Sequence, residues 1–500
     1  MVKGVPPEGG IFHGQRFDGE ESIMALRVYD TFKQKKVPFE PVSPGKVGIY
    51  FCGMTVQDRP HVGHMLAFVS GDMVRRYLEY IGYEVTYVQN FTDIDDKIID
   101  KAREEGVEYT AVATRNIAAY HAAAKALNIR PATVYPYATQ HIAEIIALIE
   151  RLEQKGHAYR AGGDVYFRVR TMKGYGKLSR RNIDDLISGA RIEVGEDKED
   201  ALDFALWKGS EPPEPGWDSP WGRGRPGWHI ECSAMAMKYL GETFDFHGGG
   251  EDLIFPHHEN EIAQSEGATD KPFANFWLHN GLLNLRGEKM SKSTGHFFAM
   301  EDILQEYDGA VVRFYLLSTH FRSQSEFSRE RLDEARKGHE RLTNACESIS
   351  EHVRRIGDKP GVSTPAGTEL KEAAAHARDR FLAAMDDDFN SAGAIGQLFD
   401  LIKTYNVLLD EHGPVLTQDR EALETAQRTI EEFDAILGLF KDGFPAGVEE
   451  VPPEILANLE ERQKARKDKD FQRADELRDA IIAAGYVIED TPQGPRVRKK

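Results

Sequence analysis

A strand, a helix and a second strand follow one another near the amino terminus, and this order constrains the fold more than any other feature. The run VGIYFCGMT (47–55) is apolar and β-branched, which is typical of a buried parallel strand. Residues 61–83 carry apolar side chains at helical spacing, and EVTYVQNFTDID (84–95) predicts the second strand. Because such a unit implies a right-handed crossover in a parallel sheet, we expect an α/β fold.

The remaining pattern predicts that an insertion splits this α/β domain and that helices dominate the second half of the chain. Strands predicted at GGDVYFRV (162–169) and ARIEV (190–194) interrupt the α/β pattern, and the Pro/Gly-containing stretch 444–454 predicts a linker. We expect six parts, in chain order: a poorly ordered N-terminal extension (1–23), the first half of a Rossmann-like nucleotide-binding domain (24–120), an insertion (121–220), the second half of that domain (221–327), a helical bundle (328–443), and a linker with a small C-terminal unit (444–500).

Composition narrows the class of protein. The chain has 500 residues, of which 41% are hydrophobic and 29% charged, so it can bury a full core. The three cysteines form no CxxC pair, and their odd number favours a reducing, cytoplasmic setting over a disulfide framework. The net charge of −19 argues against a broadly basic surface. Local binding of RNA remains compatible with it, since residues 461–500 hold 11 Lys/Arg against 8 Asp/Glu.

The string His61-Val62-Gly63-His64 stands between the first strand and the helix that follows. The free N–H groups of a helix N-terminus bind phosphate, and a glycine lets a triphosphate approach the backbone. By itself the tetrapeptide is a weak signal, and helix-capping or surface histidines are the alternative.

The string Lys289-Met290-Ser291-Lys292-Ser293 lies ahead of a predicted helix, and its two lysines could neutralise charge on phosphates. A solvated charged loop is the alternative. The two strings stand about 225 residues apart. As a pair, on either side of a nucleotide fold, they resemble the signature of class I aminoacyl-tRNA synthetases.

Four further side chains suit a metal ion. Cys52 ends the first strand, Cys232 lies in GWHIECSAM, and His257 precedes Glu261 by four residues, which places both on one helix face. Two thiolates, an imidazole and a carboxylate suit Zn²⁺. His258 is three residues from Glu261, so spacing leaves open which histidine binds, and buried cysteines with a surface ion pair are the alternative.

Longer strings resemble the cysteinyl-tRNA synthetase family from about Met24 to Lys500. They are FCGMTVQDRPHVGH, VTYVQNFTDIDDKI, GRPGWHIECSAM, FDFHGGGEDLIFPHHENEIAQS, EKMSKS and the closing EDTPQG. The resemblance implies a catalytic domain with a small anticodon-binding unit, activation of L-cysteine with Mg²⁺ and ATP, and transfer to tRNA(Cys) by a cytoplasmic monomer.

The resemblance also implies roles for individual residues. Zinc (one Zn²⁺ per chain) would be held by Cys52, Cys232, His257 and Glu261. The catalytic residues would be His61, His64, Lys289 and Lys292, with Lys292 the main mobile lysine. Cysteine would contact Gly53, Thr92 and Trp228, and ATP would contact His61, His64, His247, Gly248, Gly249, Gly250, Asp252 and Lys292. A core aromatic is the alternative for Trp228, and a tight turn is the alternative for the glycines.

Two positions depart from the family pattern. Gln57 stands where tyrosine is usual, and Val497 stands where tryptophan is common. If that aromatic stacks on the anticodon, this chain must bind the anticodon differently or less tightly.

Two other functions compete with aminoacylation. The first is the ligase that joins cysteine to an amino sugar in mycothiol synthesis, which shares both signature strings and the metal residues. The tail ARKDKDFQRADELRD…EDTPQG favours the synthetase. The second is a non-catalytic zinc- or RNA-binding relative, against which the intact signature strings argue.

Overall fold

The structure, a computed structural model, describes most of the chain. The described residues are 25–182, 198–285, 288–289, 299–357, 361–445, 452–468, 470–491 and 494–499. Three predicted features lie outside them: the extension 1–23, the strand at 190–194, and residues 290–293 of the KMSKS string, which include Lys292.

Strands and helices alternate in the first half of the chain, and helices dominate the second half. The described strands are β1 (Arg27–Asp30), β2 (Lys35–Pro38), β3 (Lys46–Phe51), β4 (Glu84–Gln89), β5 (Ala158–Ala161), β6 (Asp164–Phe167), β7 (Phe204–Gly209), β8 (Gly224–Pro226), β9 (Phe244–Gly250), β10 (Ala274–Asn280), β11 (Leu283–Leu285), β12 (Glu288–Lys289), β13 (Ser325–Glu326), β14 (Tyr486–Thr491) and β15 (Gly494–Lys499). The described α-helices are α1 (Val62–Tyr80), α2 (Asp96–Glu105), α3 (Tyr109–Ala126), α4 (Ile142–Gln154), α5 (Trp228–Leu240), α6 (Glu259–Thr269), α7 (Met300–Glu306), α8 (Gly309–Leu317), α9 (Arg329–Ile356), α10 (Pro365–Asp386), α11 (Ser391–Leu416), α12 (Arg420–Leu437), α13 (Pro453–Lys467) and α14 (Phe471–Ala483).

A four-stranded parallel sheet forms the centre of the α/β part. Its strand order is β10-β9-β3-β4, and all three pairings are parallel. Helix α1 connects β3 to β4, so the predicted strand, helix and strand are confirmed. Because β4 lies on one side of β3 and β9 on the other, the chain changes direction across the sheet at β3. Ligands of such sheets bind beyond the carboxyl ends of the strands at this point.

An antiparallel sheet interrupts the parallel one in sequence. Its order is β5-β6-β7-β8, and the prediction of a strand within 162–169 is confirmed by β6. Phe167 and Trp207 are fully buried in a core that also contains Leu152 of α4. The same core contains Ile230 of α5 and Ala263 of α6, so the insertion packs against helices of the α/β domain.

The helical part of the chain contributes to two compact units. One unit contains the chain up to His339 together with 372–403 and 429–441. The other contains 340–371, 404–428 and 442–500. The segment 328–443, predicted as one helical bundle, is thus divided, and its successive stretches belong alternately to the two units.

The end of the chain folds as two helices and a hairpin. Strands β14 and β15 pair antiparallel, and Val497 lies opposite Ile488. The side chain of Val497 is only 6% exposed and packs in a core with Ile455, Leu459 and Ile481. Position 497 therefore faces the interior of this unit, and the different or less tight binding of the anticodon stays a prediction. The exposed aromatic side chain here is Phe471, at 65% exposure.

Candidate active site and metal cluster

A cavity of about 310 Å³ opens at the carboxyl edge of the parallel sheet. Cys52 directly follows β3, Gly250 ends β9 and Asn280 ends β10, so three neighbouring strands deliver residues to it. Among the predicted site residues, those that line the cavity are Cys52, Gly53, His61, His64, Trp228, Gly250 and Asp252. The structure thus brings one metal residue, the HVGH string and part of the predicted cysteine and ATP sets to one place.

The four predicted metal residues converge beside this cavity. Their ligand atoms all lie within 4.8 Å of one another, and all four side chains are buried. Cys52 Sγ is 3.9 Å from Cys232 Sγ and 3.5 Å from Glu261 Oε1. His257 Nε2 is 3.0 Å from the same carboxylate oxygen. Buried soft and charged donors at this spacing can hold a metal ion, and Zn²⁺ suits two thiolates, an imidazole and a carboxylate.

Local structure explains why these residues meet. Cys232 lies on α5, which begins at Trp228 beside the cavity. A π-helical turn over Ile254–His258 leads into α6, and it aims His257 at Glu261 one turn later. The predicted i, i+4 pair is therefore present, but it is fully buried and not a surface ion pair.

A second group of ligand atoms overlaps the first. Cys52, His247, His258 and Glu261 also lie within 4.8 Å of one another. His247 Nε2 is 2.8 Å from Glu261 Oε2, and His258 Nδ1 is 2.8 Å from His279 Nε2. The choice between His257 and His258 that spacing left open is thus also geometrically open.

The charges of the first group are strongly perturbed. Burial disfavours the charged imidazole of His257, but Glu261 and Cys232 together outweigh it and raise the pKa of His257 to about 10. Burial likewise opposes ionisation of Glu261, whereas His247 and His257 lower its pKa to about 2. A hydrogen bond with Cys52 lowers the pKa of Cys232 to about 6. The carboxylate and one thiolate are therefore available as charged ligands at neutral pH.

The two HVGH histidines cap the helix and line the cavity at once. His61 Nδ1 accepts the His64 backbone N–H at 3.3 Å, and His64 Nδ1 accepts the His61 backbone N–H at 3.4 Å. Their rings stack with centroids 3.6 Å apart. Because each Nδ1 is an acceptor, each imidazole carries its proton on Nε2. Helix capping and ligand binding, posed as alternatives from the sequence, are compatible in this geometry.

Two glycines are required by close packing. A side chain at Gly53 would place its Cβ 1.6 Å from the carbonyl oxygen of Asn90. Gly248 belongs to strand β9, and a Cβ there would lie 2.3 Å from the Phe51 ring. The tight-turn alternative for the glycine triplet is therefore wrong, because the triplet continues a strand.

Four predicted contact residues are not in the described lining of the cavity, namely Thr92, His247, Gly248 and Gly249. Thr92 is 2% exposed, and its hydroxyl donates to Glu231 at 2.8 Å. The buried ring of His247 faces Glu261 of the metal cluster. Lys289 belongs to β12, and Lys292 lies outside the described residues.

Sequence reasoning missed several residues that line the cavity, among them the polar side chains of Gln57, Lys97 and Asn280. Gln57 was noticed only as a departure from the family pattern. Asn280 ends a strand at the carboxyl edge of the sheet, and that position was the signal that could have identified it.

Comparison with known proteins matches almost the whole chain. Residues 38–337 match the family model described as tRNA synthetases class I (C) catalytic domain, 380–441 match the DALR domain, and 448–498 match the Cysteinyl-tRNA ligase anticodon binding domain. The Cysteine--tRNA ligase of Geobacter sulfurreducens is 52% identical over 482 residues, covering 94% of this chain and 99% of that protein. That of Heliobacterium modesticaldum is 51% identical over 481 residues, covering 95% and 100%.

Solved structures share the fold. Mycobacterium tuberculosis methionyl-tRNA synthetase in complex with methionyl-adenylate has a TM-score of 0.62 at 18% identity, covering 80% of this chain and 92% of that one. This likeness confirms the α/β fold with a helical carboxyl-terminal region. In the part of the chain that the structure describes, no helix is both long and apolar enough to cross a bilayer.

Proposed function

Since the chain belongs to the cysteine–tRNA ligase family, we propose that it activates L-cysteine with Mg·ATP and transfers the cysteinyl group to tRNA(Cys). The observation that carries this proposal is one cavity that joins a buried thiol, imidazole and carboxylate cluster to a histidine-capped helix N-terminus. The cluster suits the substrate's side chain, and the helix N-terminus suits the phosphates of ATP.

The first part of the proposal is a zinc ion held by Cys52, Cys232, His257 and Glu261. The donor set fits, because all four groups are buried and within 4.8 Å of one another. Zinc would bind the substrate's thiolate, a bond that the hydroxyl of serine cannot match at neutral pH. Discrimination by such a bond explains how the enzyme could reject serine without an editing step.

The second part is the stabilisation of negative charge on the triphosphate while cysteine is activated. The cysteine carboxylate attacks the α-phosphate of ATP, and pyrophosphate leaves. We assign the Nε2–H groups of His61 and His64 to the triphosphate, because their Nδ1 atoms are engaged in the helix cap. Lys289 and Lys292 are assigned to the same charge from the family resemblance. Catalysis then depends on positioning and electrostatics and needs no side-chain nucleophile.

The third part is the binding of cysteine and of the adenosine of ATP by the remaining predicted residues. We assign Gly53 and Trp228 to cysteine, since both line the cavity next to Cys52. Thr92 would act through its hydroxyl, which Glu231 orients. Gly250 and Asp252 would contact the adenosine, and Gly248, Gly249 and His247 would support that contact from behind.

The fourth part is recognition of tRNA by the carboxyl-terminal unit. Exposed Phe471 follows a helix end with the basic side chains Lys464, Arg466 and Lys467. A base can stack on an exposed aromatic ring beside positive charge. The match of 448–498 to an anticodon-binding model supports this role, and it disfavours the amino-sugar ligase and the non-catalytic relative.

We also propose the six-part division of the chain as its domain organisation, and a cytoplasmic monomer as its working state. The three family models fall within the proposed catalytic, helical and carboxyl-terminal parts with small overlaps. The three free, buried cysteines are consistent with a reducing compartment.

The direct test is charging of total tRNA with labelled cysteine while unlabelled serine competes. We expect cysteine to be attached to tRNA, with no loss of label to serine in large excess. Incorporation of serine would contradict the role of the metal cluster. Absence of charging, from protein shown to contain zinc and to catalyse cysteine-dependent ATP–pyrophosphate exchange, would move the function to the amino-sugar ligase.

A further inference from the structure

Lys97 is the only lysine or arginine in the described lining of the cavity. Its side chain is exposed, and its ammonium stands at the end of a flexible stem, so a ligand in the cavity can reach it. The two histidines of the lining add no positive charge at neutral pH, because burial lowers the pKa of His61 to about 4 and also lowers the pKa of His64. A cavity that must take a carboxylate and a triphosphate therefore has one ammonium group in its described walls.

The ammonium of Lys97 forms no ion pair with any residue that the structure describes. The two preceding carboxylates are engaged elsewhere. Asp95 Oδ1 accepts the backbone N–H of Lys97 at 3.0 Å, and Asp96 is paired with Arg225 at 2.6 Å and with Lys208. Lys97 also lies in the first turn of α2, where the positive end of the helix dipole disfavours a cation. Its place is thus explained neither by an ion pair nor by the helix, whereas a bound anion would be stabilised by both charges.

The Trp228 ring places Lys97 at the metal end of the cavity. The centre of this ring is 5.9 Å from Lys97 Nζ and 4.5 Å from the centre of the His257 ring. Trp228 also begins α5, the helix that carries Cys232. Cysteine is a short molecule, so a cysteine whose thiolate binds the metal keeps its carboxylate close to this end. That carboxylate is the first anion within reach of Lys97.

We propose that the ammonium of Lys97 binds the carboxylate of the substrate cysteine and holds it for the attack on ATP. The inference rests on the proposed function, because it takes cysteine and ATP as the occupants of the cavity. The ammonium binds one carboxylate oxygen, and the other oxygen forms the bond to the α-phosphorus while pyrophosphate leaves. Trp228 steadies the ammonium through its ring face.

This contact adds a second level of selection to the site. The metal cluster selects a thiol, and a metal bond alone would accept any small thiol of suitable shape. An ammonium that pairs with a carboxylate selects, among those thiols, the ones that carry the group to be activated.

The test compares wild type, Lys97→Met and the control Lys101→Met by cysteine-dependent ATP–pyrophosphate exchange. Methionine keeps an unbranched stem beside Trp228 and removes only the charge. Lys101 lies one turn further along α2 near Glu104 and Glu105, outside the described lining of the cavity.

We expect Lys97→Met to raise the KM for cysteine by about 10- to 30-fold, the lower part of the range for a hydrogen bond to a charged group, because water screens an exposed ammonium. The KM for ATP and the zinc content should match wild type. Lys101→Met, which removes the same charge from the same helix, should match wild type in all three measurements.

Cysteamine tests whether the carboxylate is the partner, since it is cysteine without that group. As a competitive inhibitor of the exchange, it should bind Lys97→Met at least as well as it binds wild type. Cysteine should bind the variant more weakly, so its advantage over cysteamine should shrink by about 10- to 30-fold.

Two outcomes overturn the inference. One is a Lys97→Met variant whose KM for cysteine equals that of wild type. The other is an equal weakening of cysteine and cysteamine, because Lys97 would then act on the shape of the pocket and not on the carboxylate. If wild type itself shows no cysteine-dependent exchange, the proposed function fails, whereas normal exchange with an indifferent Lys97→Met variant defeats this inference alone.

Discussion

Two histidine groups lie at or beside the same cavity, one with a charged imidazole and the other with neutral imidazoles. In the metal cluster, Glu261 and Cys232 together overcome burial and raise the pKa of His257 to about 10. In the helix cap, burial lowers the pKa of His61 to about 4, and Asp252 offsets it only in part. The two rings differ less in burial than in their partners: His257 Nε2 is 3.0 Å from a carboxylate oxygen, whereas His61 stacks on a second imidazole.

This difference shows how one residue type supplies two functions in one site. Burial favours the neutral imidazole unless an opposite charge lies within contact distance. At the metal end, the Glu261 carboxylate and the Cys232 thiolate lie beside a protonated His257, and a metal cation would take the place of that proton. At the helix end, neutral imidazoles offer Nε2–H donors to phosphate without carrying a charge of their own.

The largest expected effect comes from removing a thiol of the metal cluster. Cys232→Ser should lose zinc, since a serine hydroxyl is a poor ligand at neutral pH, and cysteine activation should fall by about 10³-fold or more. Metal analysis and pyrophosphate exchange measure both. Cys346→Ser is the matched control, since Cys346 is buried in the other compact unit and should keep zinc and activity. Full activity in a zinc-free Cys232→Ser protein would show that activation of cysteine does not need the metal.

A second change decides between the two overlapping ligand groups. His257→Gln should weaken zinc binding by about 100-fold or more, because it removes a direct ligand. His258→Gln should weaken it by about 10-fold or less, because His258 would act only through its neighbours. Competition with a chromophoric chelator measures both affinities. The reverse ranking would assign the metal to Cys52, His247, His258 and Glu261.

At the helix end, His61→Asn separates capping from catalysis. Asparagine is a good N-cap, so the variant should keep its thermal midpoint, but it lacks the Nε2–H donor and kcat for activation should fall by about 10²-fold. His61→Ala should lose the same activity and, in addition, about 1 kcal/mol of stability. If His61→Asn were as active as wild type, the ring would serve only as a cap.

The smallest expected effect is on the pH dependence of stability. The pKa of His61 is about 4 in the folded chain against 6.5 in the unfolded one, so both forms are neutral above pH 6.5. As the pH falls from 6.5 towards 4, the unfolded chain binds a proton and the folded chain does not, so stability is lost in this window. Between pH 6.5 and 4.5 the thermal midpoint of wild type should fall by about 2–4 °C more than that of His61→Asn. Parallel midpoint curves would contradict a neutral, buried His61.

The secondary structure near the site was largely predictable. The apolar run at 47–55 and the helical period after residue 61 are local patterns, and they formed β3 and α1 as expected. The metal residues were proposed from residue types and a family resemblance, and the structure brings all four together. Their relative distances could not be predicted, because Cys52, Cys232 and His257 come from three segments far apart in sequence.

The orientations of individual side chains were the least predictable feature of the site. His247 and Asp252 are close in sequence and were assigned together to ATP, yet His247 faces Glu261 while Asp252 lines the cavity. His247 lies on β9, whereas Asp252 lies in the 3-10 turn that follows the strand, so a short string can serve two sites. The orientation of Val497 was likewise not predictable from the sequence, since the pairing of β14 with β15 turns its side chain into the core of its unit.

The sequence by itself determined the α/β class, the break in its pattern, the cluster of metal-binding residue types and the family to which the chain belongs. These depend on local periodicity, residue chemistry and strings of neighbouring residues. Only the tertiary structure decided which side chains share a cavity and which histidines are charged. Each of these depends on contacts between segments distant in sequence, where the dielectric surroundings and partner of a group are set by packing and not by its neighbours along the chain.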